Sequence, residues 1–295
     1  MLPKLQHTKI KYKIVFLLKY KYSIVMLCNY LNCSRSGYYD WIKRNMPNHN
    51  KLDLLKSDAI LKIYNQKKSR GRRQIKMQLK RQFGLHMSLG SVHRYMTILN
   101  IKSVMKRKPK YSKKEERKST YTFANVLNRD FLSSTTIKKW VTDITYLQST
   151  DGTEYLSCIK DLSDKSIISY HMSNKNDIDL VMQTLNKALK NVEVDKFHGL
   201  ILHSDQGHQY TSKEYHDFLS QNGIIGSMSR KGNPYDNAPI ESYFSVLKNE
   251  ELKLHKKRTM NKTREIVDRF IYEYNYERPQ FNLKEMTPIE YRCHL

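Results

Sequence analysis

The stretch from Leu202 to Glu251, LHSDQGHQYTSKEYHDFLSQNGIIGSMSRKGNPYDNAPIESYFSVLKNEE, restricts what this chain can fold into more than any other. A short apolar run, Gly199 to Leu202, reads as a buried strand that ends on His203, Ser204 and Asp205. Gln206 and Gly207 break it, and a polar segment starts a helix near Ser212. A second apolar run follows at Ile224-Ile225. The loop Arg230 to Asn237 carries a glycine and a proline, and beyond it lies a helix bearing Glu241. One acid therefore closes a strand and another sits early on a helix, with thirty-five residues between them.

A third acid lies upstream. Lys139 to Leu147, KWVTDITYL, is rich in β-branched and aromatic residues and reads as a strand. Asp143 falls in its middle, a costly place for a carboxylate unless it is exposed, paired or bound to a metal. Taken alone, a solvent-facing Asp accounts for it.

Together, WVTDITYL, LHSDQGHQYTS and GSMSRKGNPYDNAPIESYFSVLKNE resemble the DDE transposases of bacterial insertion sequences. The match is to the second-frame (OrfB-type) protein of two-frame elements, whose core is similar to retroviral integrase. It runs from about Tyr22 to Tyr291. The resemblance implies that Asp143, Asp205 and Glu241 are the catalytic and metal-binding residues. Asp143 would bridge two ions, and Asp205 and Glu241 would each hold one. Two divalent ions can clamp the attacking and leaving oxygens of an in-line phosphoryl displacement. Mg²⁺ (or Mn²⁺) suits an all-oxygen set, and metal removes the mutual repulsion of three carboxylates.

The flanking residues admit further readings. Lys248 lies seven residues after Glu241 on one helix face. In integrase-like enzymes a lysine at this offset approaches the DNA end; an ordinary exposed lysine is the other reading. Asp236 and Asn237 precede the Glu241 helix, and capping it is favoured over metal ligation. His203 and His208 bracket Asp205 in a pattern that could suggest a transition-metal site. The family pattern instead makes His203 a supporting or DNA-facing residue and His208 incidental. Gly207 marks a close backbone approach or a left-handed turn. Asp161 ends the next strand and reads as structural.

The charge is unevenly placed. Of 53 Lys and Arg residues, 30 fall in residues 1–120, against 5 of the 28 Asp and Glu; the remaining 23 and 23 cancel. A coding bias toward lysine would act along the whole chain and does not explain a neutral second part. A basic N-terminal region is the footprint of phosphate binding. Within it, Tyr22 to Tyr30 and Arg35 to Lys43 read as a helix–turn–helix-like pair, with Ser34 as a cap. Leu52 to Tyr64, Gln74 to Phe83 and a helix capped by Ser88 form a second module. SRGRRQI departs there from the family's Tyr-Gly-x-Arg-Arg-Ile pattern, with Arg70-Gly71 in place of Tyr-Gly and Gln74 inserted before Ile75. DNA contact is expected from Arg70, Arg72, Arg73, Lys76 and Arg94, from Lys106 and Arg107 in the basic run Lys102 to Lys118, and from Arg230, Lys231 and Lys248.

Strands are expected at Lys139–Gln148, Glu154–Leu162, Ile167–Met172, Gly199–His203 and Ile224–Met228, with a Thr150-Asp151-Gly152 turn and helices at Asp177–Asn191 and Ser212–Gln221. That order fits an α/β, RNase H-like mixed five-stranded sheet with flanking helices, preceded by an all-α helix-turn-helix-like region. The expected division is 1–50 helical, 51–101 DNA-binding module, 102–130 basic linker and lead-in, and 131–295 catalytic core with C-terminal helices. Thr263 to Tyr276 reads as an amphipathic helix, and Arg278 as a DNA contact or a salt bridge.

Cys28, Cys33, Cys158 and Cys293 form no C-x-x-C pair and read as reduced thiols. Lys19 and Lys21 interrupt the N-terminal apolar runs, so no membrane span is expected, and no small-residue cleavage site follows a clean apolar core, so no signal peptide is expected. The resemblance implies double-stranded DNA partners (element terminal repeats and target), a homodimer or larger assembly, and a bacterial cytoplasmic, nucleoid-associated setting. It also implies the upstream-frame protein as a partner, because the chain starts where the second frame starts. A non-catalytic DNA-binding protein left by element decay, and an RNase H-like nuclease without strand transfer, are the rival readings.

Overall fold

The computed structural model describes residues 8–19, 22–45, 53–104, 121–131, 139–190, 199–231, 233–255 and 257–295. Lys106, Arg107 and most of the basic run lie outside the described residues. The chain separates into two compact units, Met1–Ala59 and Ile60–Leu295.

In the first unit, α1 (Thr8–Leu18), α2 (Ile24–Tyr30) and α3 (Arg35–Asn45) enclose a small core of Tyr12, Val15, Leu27, Cys28 and Tyr38. The expected helix pair is α2 and α3. Ser23 caps α2 by accepting from the Met26 N–H, and Ser34 accepts from the Gly37 N–H at 3.2 Å. Asn32 sits at φ 48° and closes α2 with a bond from the Cys33 N–H to the Cys28 carbonyl. Helix α1 was not expected. Its interleaved lysines hide an apolar face that Tyr12 and Val15 bury.

The second unit begins with the remainder of α4 (Leu54–Gln66), then α5 (Arg72–Phe83) and α6 (Leu89–Ile98). Gly84, at φ 63°, ends α5, and Ser88 caps α6 as expected. Leu54 and Leu55 of α4 are exposed, whereas Ala59, Ile60 and Ile63 are buried.

The sheet is built from β1 (Lys139–Ser149), β2 (Gly152–Asp161), β3 (Ile167–Ser173), β4 (Ile201–Ser204) and β5 (Ile225–Met228), in the order β3-β2-β1-β4-β5. The first three strands meander antiparallel, and β4 and β5 join parallel to β1. The expected mixed five-stranded sheet is borne out. The β1–β2 connection is Thr150-Asp151; Gly152, expected in the turn, already pairs with Ser149. Side chains alternate across a sheet. On one face Val141, Leu147, Leu156 and Cys158 pack against α9 (Ala238–Glu250) and α10 (Met260–Tyr272). On the other, Trp140, Ile159 and Leu202 pack against α7 (Ile178–Lys190) and α8 (Lys213–Gln221).

The helices of the N-terminal module in this unit dock on the C-terminal segment through charge. Lys67 pairs with Glu251 and, at 2.7 Å, with Glu273; all three side chains are largely buried. Gln74 and Gln78 of α5 donate to the Pro279 and Glu277 carbonyls. Lys76 pairs with Glu285, and Arg81 forks onto Glu290 at 2.6 and 2.8 Å. Glu290 lies on α11 (Pro288–Arg292), where Thr287 and Glu290 form a capping box. Helix α10 ends earlier than expected, in a π turn over Glu273–Glu277. That turn presents Glu273 to Lys67 and the Glu277 carbonyl to Gln78.

Removing a cation from between buried carboxylates strands their charge. Lys67→Met should therefore destabilise this unit by about 3 kcal/mol in urea unfolding; a cost near zero would show that the cluster does not hold α5 in place. Arg81 first, with the Thr287 bonds, holds the Glu290 carboxyl down from 4.5 to about 2. Its contribution is full above pH 4.5 and is lost as pH falls toward 2. Acid unfolding of Glu290→Gln should lack that part of the wild-type pH dependence.

Candidate active site

Asp143 sits on the central strand between buried Thr142 and a half-buried Ile144, whose N–H donates to Asp143 Oδ1 at 2.8 Å. The parallel pairing of β1 with β4 sets Val141 opposite His203. Two residues farther along each strand come Asp143 and Asp205. Adjacent strands lie about 4.8 Å apart, so this register makes the two aspartates neighbours. Asp205 is the first residue past the end of β4 and turns on its own side chain: the Gly207 N–H donates to Asp205 Oδ1 at 2.9 Å. A Cβ at Gly207 would lie 2.9 Å from that same oxygen. Of the two readings for Gly207, close approach is the one observed. Tyr210 is buried, with its hydroxyl 3.4 Å from that of Thr142, the residue before Asp143. Burial first, then the charges of Asp143 and Asp205, push its phenol well above the usual range.

Glu241 occupies the first turn of α9, where the helix dipole favours an anion, and is exposed. The start of this helix is pinned from three sides. Asn237 Nδ2 donates to the Thr142 carbonyl at 3.0 Å, immediately beside Asp143. Lys160 Nζ donates to the Pro239 carbonyl at 3.2 Å. Asp236, fully buried, accepts from Arg230 at 2.9 Å, Arg129 at 2.7 Å and Asn125 at 3.1 Å. Those bonds, the Arg230 contact foremost, hold its carboxyl far below the usual range. Neither Asp236 nor Asn237 caps α9 as expected. Asn237 stands at the cap position without a side-chain cap bond: its Nδ2 is directed at the Thr142 carbonyl, which turns the side chain to β1, and its buried Oδ1 accepts no hydrogen bond among the described residues. Asn233 caps the preceding 3₁₀ turn, Pro234–Asn237, instead.

The lead-in segment Tyr121–Phe131 completes the frame. Phe123 lies over Gly226 on β5, with its ring 2.6 Å from where a Cβ would stand. The Leu127 N–H donates to Ser227 at 3.0 Å. Asn128 and Arg129 take left-handed backbone angles, φ 41° and 61°, held by Asn125 and Asp236. Lys160, Arg129, Asn125 and Tyr210 were not singled out in the sequence, because nothing in their local pattern separates them from ordinary residues.

Lys248 is half-buried. Its ammonium lies 4.4 Å over the Tyr146 ring, and burial lowers its pKa while the nearby Asp143 charge opposes that shift. Its contact with the Tyr146 ring distinguishes it from a freely solvated lysine. His203 is not DNA-facing. It is fully buried, and its ring nitrogens meet the Ser227 and Ser229 hydroxyls at 2.9 and 3.0 Å. Desolvation brings its pKa down to about 4, so it is a neutral tie between β4 and β5. His208 is exposed. Asp161 is structural: it accepts from Trp140 Nε1 at 3.0 Å and from the Ser163 N–H, and burial raises its pKa to about 7. Arg278 forks onto Glu250, which settles it as a salt bridge.

The basic residues expected at DNA divide. Arg70 is turned inward, donating to Gln66 at 2.8 Å and to the Ile63 carbonyl at 3.3 Å, and Lys76 is committed to Glu285. Arg230 is partly committed to Asp236. Arg72, Arg73, Arg94 and Lys231 are exposed.

The donor set suits a hard divalent ion in kind, since all three acids offer only oxygen. Among the described residues, no group of three His, Cys, Asp or Glu side chains is gathered closely enough to hold one. The two aspartates are brought together by strand register, whereas Glu241 stands on a helix pinned one turn away.

Residues 134–234 and 222–288 match families described as Integrase core domain, and residues 51–109 match one described as HTH-like domain. The InsK protein of insertion sequence element IS150 in Escherichia coli K12 is 35% identical over 259 residues, spanning 88% of this chain and 89% of that protein. The transposase InsF for insertion sequence IS3A, from the same strain, is 31% identical over 242 residues, spanning 80% and 82%. Among solved structures, the HTLV-2 integrase catalytic core domain in complex with magnesium matches at 14% identity and a TM-score of 0.41, covering 54% of this chain and 98% of that one.

Asn237→Ala leaves the buried Thr142 carbonyl without that donor and should cost roughly 1–3 kcal/mol. Urea unfolding checks it, and a variant as stable as wild type would show that the bond does not hold α9 to β1.

Proposed function

Because the chain belongs to the insertion-sequence transposases with an integrase core, we propose that it cuts DNA at the ends of its element and joins the cut end to a second site. The observation that carries this reading is the β1–β4 register, which sets Asp143 beside Asp205 while Asn237 ties the Glu241 helix to the adjoining Thr142 carbonyl.

The reaction is two in-line displacements at phosphorus. In the first, water attacks, its oxygen bonds to phosphorus, and the 3′-oxygen leaves and takes up a proton. In the second, that 3′-hydroxyl attacks a target phosphodiester, a new bond to phosphorus forms, and the target's own 3′-oxygen leaves. No oxidant or covalent protein–DNA bond is required. Asp143, Asp205 and Glu241 would hold Mg²⁺ or Mn²⁺, two ions in all, which neutralise charge on the attacking and leaving oxygens when bound. The protein's part is placement. Gly207 leaves room for the Asp205 carboxylate, and Asn237 and Lys160 hold the start of α9. Lys248, close enough to feel the Asp143 charge, offers a cation to a scissile-strand phosphate.

The DNA partners are the element's terminal repeats and the target duplex. Arg72, Arg73, Arg94 and Lys231 would meet phosphates, which position a duplex without reading it. Joining two ends calls for two or more copies on DNA, with the upstream-frame protein as a further partner. Among the described residues no helix is long and apolar enough to cross a membrane; a cytoplasmic, nucleoid-associated site of action follows from the DNA substrate.

The test is a joining assay with labelled duplexes copied from the DNA flanking the coding frame. Wild type with Mg²⁺ should yield cut and joined strands. Asp205→Asn and Glu241→Gln should abolish both while DNA binding persists. Gly207→Ala, which presses on Asp205, should lower activity about ten- to a hundredfold. Cutting without joining would indicate a nuclease, and binding without cutting a non-catalytic DNA-binding protein.

A further inference from the structure

Tyr146 is an exposed aromatic on the central strand. It is 60% exposed, on the face opposite its buried neighbours Thr145 and Leu147. A tyrosine presents two ring faces, and here one is already taken: the Lys248 ammonium lies over it at 4.4 Å. Lys248 is itself half-buried, so the pair is a cation held against a ring and not two loose surface side chains. The degree of exposure leaves the outer face open to solvent. Asp143 lies three residues back, about 10 Å along the strand, and by alternation its side chain takes the other face; Lys248 links the ring to the acids, because it rises from α9, the helix that carries Glu241. An exposed ring backed by a cation matches how proteins hold unpaired bases: the base stacks on the ring, and positive charge meets the backbone.

We propose that Tyr146, backed by Lys248, is a stacking platform for an unpaired base at the end of the DNA strand being cut, and so holds that end beside the helix that carries Glu241. This rests on the DNA-cutting reading above. Tyr146 acts on placement and not on the chemical step. Its contribution is to stabilise an end whose last base pair has opened, at no cost in sequence specificity, because every base has a face to stack.

The alternative is structural: the ring only shields the lysine stem. The two predict different responses to the state of the DNA end. The full chain, as wild type, Tyr146→Ala and Tyr146→Phe, would be given two duplexes copied from the flanking DNA, one fully paired and one with its last pairs mismatched. Tyr146→Ala should cut the paired end about ten- to a hundredfold more slowly. It should recover most of that loss on the mismatched end, and Tyr146→Phe should resemble wild type on both. Equal loss on both ends, or no loss on either, would overturn the proposal. A second readout needs no cleavage. With 2-aminopurine in the last, mismatched position, wild type and Tyr146→Phe should quench its fluorescence on binding and Tyr146→Ala should not. Unquenched fluorescence on wild-type binding would sink the platform. Quenching without cutting by wild type would retain it and refute the catalytic reading instead.

Discussion

The pairing of β1 with β4 is the constraint on which the rest of the site depends. These two strands are distant in sequence and have no turn to set their register. What sets it is burial on both sides of the sheet: Val141 and Leu202 must each face a core, and a one-residue slip would turn either toward the wrong layer. The same alternation that satisfies those apolar residues carries Asp143 and Asp205 into adjacent positions. The carboxylates are placed by hydrophobic side chains buried in the two core layers.

The third acid is held by a different kind of force. Helix α9 buries Ile240, Tyr243, Phe244 and Leu247 against the sheet, which fixes its rotation, but apolar contact tolerates sliding along the axis. Directional bonds remove that freedom. Asn237 ties one end of the approach to β1, Lys160 ties it to β2, and Asp236 gathers Arg230, Arg129 and Asn125 from the loop and the lead-in segment. Asp236 and Asn237 therefore serve as clamps between elements and leave α9 without a side-chain cap. A buried carboxylate facing two guanidinium groups holds its geometry against thermal motion better than a cap exposed to water would.

Charge is divided between two purposes. The whole positive excess lies in the first 120 residues, yet α5 directs Lys76 and Arg81, with Arg70 and Lys67 just before it, into the protein. Glu251, Glu273, Glu285 and Glu290 receive three of these four cations. A count of lysines and arginines reads a charged surface but not which charges the fold consumes. Arg72, Arg73 and Arg94, on the remaining faces, keep theirs in solvent. The two outcomes cannot be told apart from spacing, because the acidic partners lie about two hundred residues away in the chain.

The chain's local patterns carried a good deal. Alternation at Lys139–Leu147, the apolar run before Asp205 and the glycine- and proline-bearing loop before the Glu241 helix specify the elements and their order, since each is a property of a few consecutive residues. Ser34 and Ser88 as caps belong to the same class. What the sequence by itself determined was which acids exist, on which elements, and in what order; periodicity and local hydrogen bonding act within one turn or strand. Tertiary structure alone decided that His203 is sealed from DNA, that Asn237 reaches Thr142, that Lys248 lies against Tyr146, and that Arg70 and Lys76 turn inward. Each of these depends on a partner supplied by a distant segment, and only the burial of two sheet faces brings such segments within bonding distance.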